Sequence, residues 1–288
     1  MWTRASPANG TELDTFKPPR TYARRPMADI VTLTTDFGPG EYVGAMKGVI
    51  LSVAPDATVV DIDHYIRPHD VRHGAYILYG AVPHFPFAAH VGVVDPGVGT
   101  SRRGIVAVCE GAFLVGPDNG LLIPAARHLG LKEVRHITNR DLGMKNLHDT
   151  FHGRDLFAPV AARLLTGTKV KDVGPAIKDF TDLDFGRPKK SDGGFEGTVI
   201  THDRFGNLVT NIPRATAEKA WKFDARLSVT VHGYEVTVKL LRTYGEADPG
   251  EYLATFSSSG FFEIARREAN AAESLGVAPG ATIVATRA

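Results

Sequence analysis

Two segments of the sequence place a charged or titratable side chain beside a glycine-containing turn. In the first, Asp95 ends an apolar run, and a Gly-Val-Gly turn separates it from Arg102 and Arg103. The amides of such a turn could hold an anion, although the pattern matches neither the P-loop nor the dinucleotide fingerprint. In the second, His152 precedes a helical stretch, where an imidazole could cap the helix or titrate near neutral pH. Each segment is a candidate for chemistry and, equally, for a simple turn.

Two further segments, in the last third of the chain, have side chains suited to binding. Asp203, Phe205 and Asn207 lie between two predicted strands, in a pattern that favours an ordinary hairpin turn. A carboxylate, an aromatic face and a carboxamide would also suit a purine and an ammonium group. Residues 257–260, Ser-Ser-Ser-Gly, could be a plain turn or a loop that holds a carboxylate.

A cluster of histidines and aspartates could be interpreted as a hydrolytic metal site. It contains His64, His69, His73, Asp61, Asp63 and Asp70. His69 and His73 are four residues apart and could share a helix face, but the fixed metallohydrolase signatures are absent. We favour a solvated helix start over a metal site.

The composition excludes several classes of partner. The 288 residues carry 33 Lys and Arg against 32 Asp and Glu, so the net charge is +1 and no nucleic acid or membrane surface is expected as a partner. The single cysteine, Cys109, excludes an internal disulfide and a thiolate-held metal, which favours a cytoplasmic location. No apolar run approaches the roughly 20 residues of a membrane helix.

The elements that would position these side chains fall into two patterns. Apolar strand-like runs alternate with helical stretches up to Gly167, which predicts an α/β domain with a largely parallel sheet. Three of these runs end at an Asp or a Gly-rich turn, where open α/β sheets bind ligands. From about residue 196 onward, short β-rich runs separated by turns predict an all-β, barrel-like domain.

These patterns divide the chain into four parts. Residues 1–26 are polar and lack apolar periodicity, so we expect a disordered leader. The α/β domain is expected over 27–188, a breaker-rich linker over 189–195, and the β-barrel domain over 196–288.

Six ordered motifs together resemble the S-adenosyl-L-methionine hydrolases, also called hydroxide adenosyltransferases, which are relatives of fluorinase and chlorinase. The motifs are TLTTDFG at 32–38, VVDPGVGTSRR at 93–103, PDNGLL at 117–122, TFHGRDLFAP at 150–159, DRFGNLVTNI at 203–212 and SSSGFFEIA at 257–265. The resemblance implies hydrolysis of S-adenosyl-L-methionine to adenosine and L-methionine, with no cofactor or metal. It also implies a homotrimer whose active sites lie between the N-terminal domain of one subunit and the C-terminal domain of the next.

The resemblance carries the family's catalytic triad onto Asp95, Arg102 and His152. Water must attack the ribose 5′ carbon while neutral methionine leaves, so activating and orienting water is the difficult part. His152 is expected to act as base or water-positioner, Asp95 as orienter or ribose contact, and Arg102 as electrostatic stabiliser, and the residue that receives the proton is left open. A slip of register at the strand end could exchange Arg102 and Arg103, but the motif favours Arg102.

Substrate contacts follow from the same resemblance. For the nucleoside, the resemblance assigns Asp36 to the ribose hydroxyls and Phe205 and Tyr244 to the two faces of the adenine. For the methionine, it assigns Asp203 to the ammonium group and Ser258 to the carboxylate. Asn207 is expected to form a hydrogen bond in the pocket, and His69 to form one side of it. Asp95, Val98 and Gly153 replace the tyrosine, threonine and halide-facing serine of the halogenases, which weighs against halide use.

The chain departs from the family pattern after SSSGFFEIA. Residues 266–270 read Arg-Arg-Glu-Ala-Asn where the family has Asn, a variable residue and Gly-Ser. The family's backbone at this point is expected to contact the adenine edge, so the affinity or selectivity for the base is expected to differ here. Three alternatives to the hydrolase therefore stay open: a binding protein for S-adenosylmethionine or adenosine, a halide adenosyltransferase that forms 5′-chloroadenosine, and a metal-dependent hydrolase built on the histidine cluster.

Overall fold

The structure is a computed structural model that describes residues 30–85 and 87–288. The expected leader, 1–26, lies outside the described residues. In the described part of the chain, no helix combines the length and the apolar composition needed to cross a membrane.

The N-terminal domain is built on a seven-stranded sheet with the order β2-β1-β3-β5-β4-β6-β7. Its strands are β1 (Ile30–Thr35), β2 (Thr58–Asp63), β3 (Ala88–Val93), β4 (Gly104–Val108), β5 (Phe113–Pro117), β6 (Glu133–His136) and β7 (Ala176–Ile177). The first four strands in this order pair in parallel, and β4, β6 and β7 add an antiparallel edge. Every residue of β3 is buried, as expected for a central strand covered on both faces.

Helices cover both faces of this sheet and confirm the predicted α/β architecture. They are α1 (Glu41–Val53), α2 (Val71–Ala81), α3 (Ile123–His128) and α4 (Ala158–Leu165). Apolar side chains of α1 and α4 pack in one core cluster and those of α2 and α3 in another. The start of α2 is fixed by Asp70, whose side chain accepts a 2.8 Å hydrogen bond from the amide of His73.

The C-terminal domain is a closed barrel of seven strands with one additional strand at its edge. The strands are β8 (Lys189–Ser191), β9 (Gly194–His202), β10 (Leu208–Pro213), β11 (Arg226–Val231), β12 (Tyr234–Leu240), β13 (Tyr252–Phe256), β14 (Phe261–Arg266) and β15 (Thr282–Arg287), with helices α5 (Arg214–Ala220) and α6 (Ala271–Leu275). Pairing of β9 with β10 closes the barrel, which leaves those strands no free edge. The all-β prediction for this half of the chain is thus confirmed.

The segment expected to be a linker, 189–195, forms a β-hairpin instead. Strand β8 pairs antiparallel with β9 through the register Ser191↔Gly194. The two residues between them are Asp192 and Gly193, and Gly193 has φ 71°. An Asp-Gly pair favours this kind of tight hairpin turn, so the breaker-rich composition marked a turn within the second sheet.

The two domains share one apolar core cluster. Leu78 and Phe185 on the N-terminal side belong to the same buried cluster as Ile200, Val209 and Phe261 of the barrel. The Phe185 and Phe261 rings meet edge to face with centroids 5.9 Å apart. Burial of these side chains joins the domains over an apolar contact.

Candidate active site

Asp95 and Arg102 form a two-point ion pair in the loop between β3 and β4. The Arg102 Nε atom donates to Oδ1 and Oδ2 of Asp95 at 2.9 Å each, and the Nη2 group also donates to Oδ2. Their side chains are 5% (Asp95) and 10% (Arg102) exposed. The guanidinium carbon lies 5.2 Å from the centre of the Phe157 ring. Asp95 therefore holds the edge of the Arg102 guanidinium and Phe157 packs on its face. These two contacts fix the direction of the remaining N–H donors.

His152 is bonded to the same guanidinium. The Arg102 Nη2 group donates to Nδ1 of His152 at 3.0 Å. Arginine can only donate, so Nδ1 is the acceptor and the proton of the neutral imidazole is on Nε2. Burial lowers the pKa of His152, and the charge of Arg102 lowers it further against the opposing effect of Asp95. At neutral pH the ring is uncharged and presents an Nε2–H donor.

A π-helical turn, Gly153–Phe157, follows His152 directly and leads into α4. Asp155 in this turn is fully buried, accepts the amide of His148 at 2.8 Å, and pairs with Arg154 at 2.5 Å. Burial opposes ionisation of Asp155, but the Arg154 and His148 hydrogen bonds outweigh it and lower the pKa of the carboxyl. Asp155 thus bonds one residue before His152 in the chain, His148, and one residue after it, Arg154. Such π-helical turns occur frequently at functional sites.

The structure separates the two adjacent arginines. Arg103 pairs with Asp118 at 2.7 Å and with Asp179 at 3.1 Å, whereas Arg102 pairs with Asp95. Both arginines precede β4, which begins at Gly104. Arg102 alone reaches His152, in the register that the motif favours.

Four of the expected site residues line one cleft of about 260 Å³ at the carboxyl ends of the parallel strands, which we call the polar cleft. They are Asp36, His69, Asp95 and His152, together with Phe37, Pro68, Val93, Val98, Thr150, Phe151 and Gly153. Asp36 Oδ2 accepts the backbone amide of His69 at 2.9 Å. This bond takes one acceptor position of a carboxylate that has about four.

Phe205, Asn207 and Tyr244 line a second cleft, of about 530 Å³, on the barrel. We call it the barrel cleft; residues 266–269 complete its lining. The Phe205 side chain is 76% exposed, so its ring is available to a ligand. None of the residues that line the barrel cleft lines the polar cleft.

Asp203 stabilises the turn that carries Phe205. Its Oδ1 atom accepts the amides of Phe205 and Asn207 at 2.9 Å each, and its Oδ2 atom accepts the Asn207 side-chain amide at 2.9 Å. This is the hairpin chemistry considered above as the simpler interpretation. Both carboxylate oxygens of Asp203 are thus already hydrogen-bonded within the loop.

Ser258 lines neither cleft. It borders a third cavity of about 470 Å³ between the domains, together with Tyr79, Gly80 and Ser259. The neighbouring Ser257 and Ser259 hydroxyls lie beside the phenol of Tyr76. The structure therefore does not bring Ser258 together with Phe205 and Tyr244.

The altered segment after β14 holds the turn that carries Tyr244. The Arg267 Nη1 group donates to the carbonyl oxygen of Ala247 and, at 3.3 Å, to that of Gly245. The Arg266 guanidinium lies 5.2 Å from the centre of the Tyr252 ring. The departure from the family pattern thus supplies both a side of the barrel cleft and a brace for its neighbouring turn.

Gly206 is expected to be intolerant of any side chain, because of its close approach to Asn270. A Cβ atom at Gly206 would lie 1.9 Å from Asn270 Oδ1, and Gly206 has φ 84°. We expect Gly206→Ala to destabilise the protein by about 1–3 kcal/mol more than a matched control does. Thermal unfolding measures the difference.

Gly250→Ala is that control, because Gly250 has φ 82° and open space at its Cβ position. Both variants carry the same backbone strain, so the difference isolates the collision with Asn270. Equal melting temperatures for the two variants would contradict the close packing.

The histidine cluster does not converge. His64 Nδ1 and Thr35 Oγ1 lie 2.8 Å apart, whereas His69 faces the polar cleft and His73 lies in α2. Burial and the charge of Arg67 lower the pKa of His73. Within residues 30–85 and 87–288, no three His, Cys, Asp or Glu side chains are grouped to hold a metal ion.

Glu263 is a buried titratable residue beside the barrel cleft that the sequence-based assignment missed. It is 2% exposed, and Tyr244 Oη donates to its Oε1 atom at 2.6 Å. A glutamate inside the apolar run Phe-Phe-Glu-Ile-Ala is the signal that could have identified it.

An α/β domain with a carboxylate–guanidinium–imidazole cluster is thus joined to a barrel with an aromatic cleft. These features define a two-domain enzyme with separate polar and aromatic binding surfaces.

Two family models match the chain. The SAM hydroxide adenosyltransferase N-terminal domain matches residues 31–174, and the C-terminal domain of the same family matches residues 197–284. The chain belongs to the SAM hydroxide adenosyltransferase family.

Individual relatives agree with this assignment. The (R)-S-adenosyl-L-methionine hydrolase of Salinispora tropica is 40% identical over 257 residues, covering 87% of this chain and 95% of that protein. A solved structure of an uncharacterized conserved protein from Thermotoga maritima gives a TM-score of 0.84 at 39% identity, with 90% of this chain and 100% of that chain covered. A fluorinase from an Actinoplanes species is more distant, at 28% identity over 291 residues, 90% of this chain and 98% of the fluorinase.

Proposed function

We propose that this protein hydrolyses S-adenosyl-L-methionine to adenosine and L-methionine, using Asp95, Arg102 and His152. The observation that carries this function is the guanidinium that bonds both Asp95 and His152 at the edge of the polar cleft. A fixed carboxylate and an imidazole on one cleft suit a reaction whose main requirement is an oriented water molecule.

The chemistry needs no acid for the leaving group. The water oxygen forms a bond to C5′ while the bond from C5′ to the sulfonium sulfur breaks, and the sulfur keeps the electron pair and leaves as a neutral thioether. One proton of the water must then be accepted by a base or by solvent. Neither a Lewis acid nor a redox group is required by this balance.

Asp95 and His152 can orient the water from two sides. Arg102 occupies three of the acceptor positions on the Asp95 carboxylate, which leaves one on Oδ1. We assign this position to one hydrogen of the water, and the Asp95 carboxylate accepts that proton as the bond between oxygen and C5′ forms. The Nε2–H group of His152 donates to the water oxygen, and the Arg102 charge stabilises the developing hydroxide.

The substrate contacts are assigned to the two clefts. Asp36 accepts the ribose hydroxyls in the polar cleft, with His69 beside it. Phe205 and Tyr244 hold the adenine between their rings in the barrel cleft, and Asn207 bonds the base edge. We assign Asp203 to the methionine ammonium, a role that requires its turn to exchange one internal hydrogen bond. We assign Ser258 to the methionine carboxylate, although it borders the cavity between the domains and lines neither cleft.

A homotrimer with active sites between subunits is part of this proposal. The polar cleft and the barrel cleft have separate linings, and a site formed where two subunits meet would let a single S-adenosylmethionine contact both of them. We also propose a cytoplasmic location, in keeping with the single buried cysteine, Cys109.

Halide transfer is the alternative from the same family, and the polar cleft disfavours it. The Asp95 carboxylate lines this cleft, and Gly153 offers no hydroxyl at the position expected to face a halide. Incubation with chloride is expected to yield no 5′-chloroadenosine.

The decisive experiment follows the oxygen atom. Purified protein incubated with S-adenosylmethionine in oxygen-18 water is expected to form adenosine labelled at the 5′ oxygen, together with methionine. The same rate after exhaustive chelation would remove the metal-dependent alternative. Tight substrate binding by calorimetry with no labelled adenosine over hours would overturn the hydrolase and select a binding protein.

A further inference from the structure

We propose that Glu263 is a positioning residue that holds the Tyr244 ring in the barrel cleft and thereby sets affinity for the adenine end of the substrate. This inference rests on the proposed function, in which Tyr244 contacts adenine. Glu263 acts through Tyr244 and takes no part in the chemical step.

The position of Glu263 in the barrel gives it a rigid base. It lies on β14, where it is paired with Val209 on β10 and with Thr255 on β13. Strands on both sides therefore fix its backbone, and the side chain is 2% exposed. Its carboxylate is a stationary acceptor for a group in the neighbouring turn.

Tyr244 needs such an anchor because its ring is only partly buried. The residue is 44% exposed and begins the short 3₁₀ turn Tyr244–Glu246 after β12. The 2.6 Å hydrogen bond from its phenol to Glu263 Oε1 holds the far end of the ring. Arg267 holds the turn itself through the carbonyl oxygens of Gly245 and Ala247. Because the phenol and the backbone turn of Tyr244 are both held, the ring loses little further conformational entropy when a base stacks on it.

The electrostatic surroundings make this anchor sensitive to pH. The groups that face Glu263 are Asp203 from the β9–β10 loop, Tyr244 from the turn after β12, and Tyr76 from α2. Burial raises the pKa of Glu263 to about 7, with Asp203 adding to the rise and the Tyr244 bond opposing it. The charged form is the stronger acceptor, so the hold on Tyr244 strengthens as pH rises through this value.

The same carboxylate should reduce folding stability in alkaline solution. The folded-state pKa lies above the ordinary value for glutamate, so the stabilising contribution is complete below the ordinary pKa and is lost as pH rises through about 7. Glu263→Gln is therefore expected to raise the melting temperature at pH 8 and to leave it nearly unchanged at pH 5. A buried charge that costs stability is expected where a protein uses it for function.

The experiment compares Glu263→Leu, Glu263→Gln and Tyr244→Phe with wild type. Glu263→Leu and Tyr244→Phe are each expected to raise KM for S-adenosylmethionine, and Kd for adenosine, by about 10-fold, the loss of one hydrogen bond to a charged group. We expect kcat to stay within about twofold. The KM of the wild-type protein is expected to fall between pH 6 and pH 8, as Glu263 becomes charged. Glu263→Gln keeps an uncharged acceptor for Tyr244, so its KM should be close to that of wild type at pH 6 and should stay constant up to pH 8.

Glu235→Gln is the matched control, since Glu235 also accepts a 2.6 Å bond from a hydroxyl, that of Ser228, on an exposed part of the barrel. This variant should keep the KM of wild type and its pH dependence. Unchanged KM and Kd in Glu263→Leu, or a Glu263→Gln profile that still varies with pH as in wild type, would overturn the inference. If Glu263→Leu does not fold, the Glu263→Gln profile and Tyr244→Phe decide. Absence of adenosine formation by wild type would instead refute the proposed function, and adenosine calorimetry would still test Glu263.

Discussion

Arg102→Ala is expected to lower kcat by about 100-fold or more, because one side chain both orients Asp95 and bonds His152. The variant leaves the Asp95 carboxylate unpaired at 5% side-chain exposure. Removing one partner of a buried pair typically costs about 3–5 kcal/mol, so the melting temperature should fall as well. Steady-state formation of adenosine measures the first effect and thermal unfolding the second. Arg102→Lys should not restore kcat, since a lysine cannot bond Asp95 at two points and His152 together.

Arg103→Ala separates loss of chemistry from loss of stability. Arg103 also pairs with a buried carboxylate, that of Asp118, so its removal should lower the melting temperature too. Arg103 does not bond Asp95 or His152, and kcat of the folded variant should stay within about threefold of wild type. Similar kcat values for the Arg102 and Arg103 variants would show that the ion pair at Asp95 has no special part in turnover.

His152→Ala is expected to lower kcat by about 100-fold or more, the size typical of removing a group that positions or transfers a proton. In the wild-type protein, burial and Arg102 lower the pKa of His152, so the neutral ring is the active form at physiological pH. The wild-type kcat should therefore be constant above neutrality and fall only in acid, as the ring gains a proton and loses its bond from Arg102. A pH profile of kcat checks both statements.

The alanine variant should lack this acid limb, since the titrating group is gone. His232→Ala, at an exposed position of the barrel, controls for removal of a histidine as such. An acid limb that persists unchanged in His152→Ala would assign the titration to another group. A wild-type rate in that variant would remove His152 from the mechanism.

The sequence was sufficient for the parts of the fold and site that depend on local patterns. Strand ends followed by Asp36 and Asp95 predicted a shared edge of the sheet, since the carboxyl ends of parallel strands meet there. The structure places both residues in the polar cleft. The alternating β-rich runs after residue 196 likewise predicted the barrel, and the ordered motifs predicted the family that the comparisons confirm.

Other features depend on contacts between distant residues and could not be derived from a local pattern. The bond between Tyr244 and Glu263 joins residues 19 positions apart. The internal hydrogen bonds of Asp203 could not be derived either, because the same residue types suit a hairpin turn and a ligand-binding loop. The π-helical turn after His152 contains the fully buried Asp155, whose burial is a consequence of tertiary packing.

The core that the two domains share also limits how the chain can be divided. Ile200, Val209 and Phe261 of the barrel lose their apolar neighbours if the first domain is removed, and Leu78 and Phe185 lose theirs in return. Each half expressed alone would expose an apolar surface that promotes aggregation. A chimaera made from two relatives should therefore fold best when both surfaces of this contact between the domains come from the same parent. This holds even when the crossover point lies at the boundary between the two sheets.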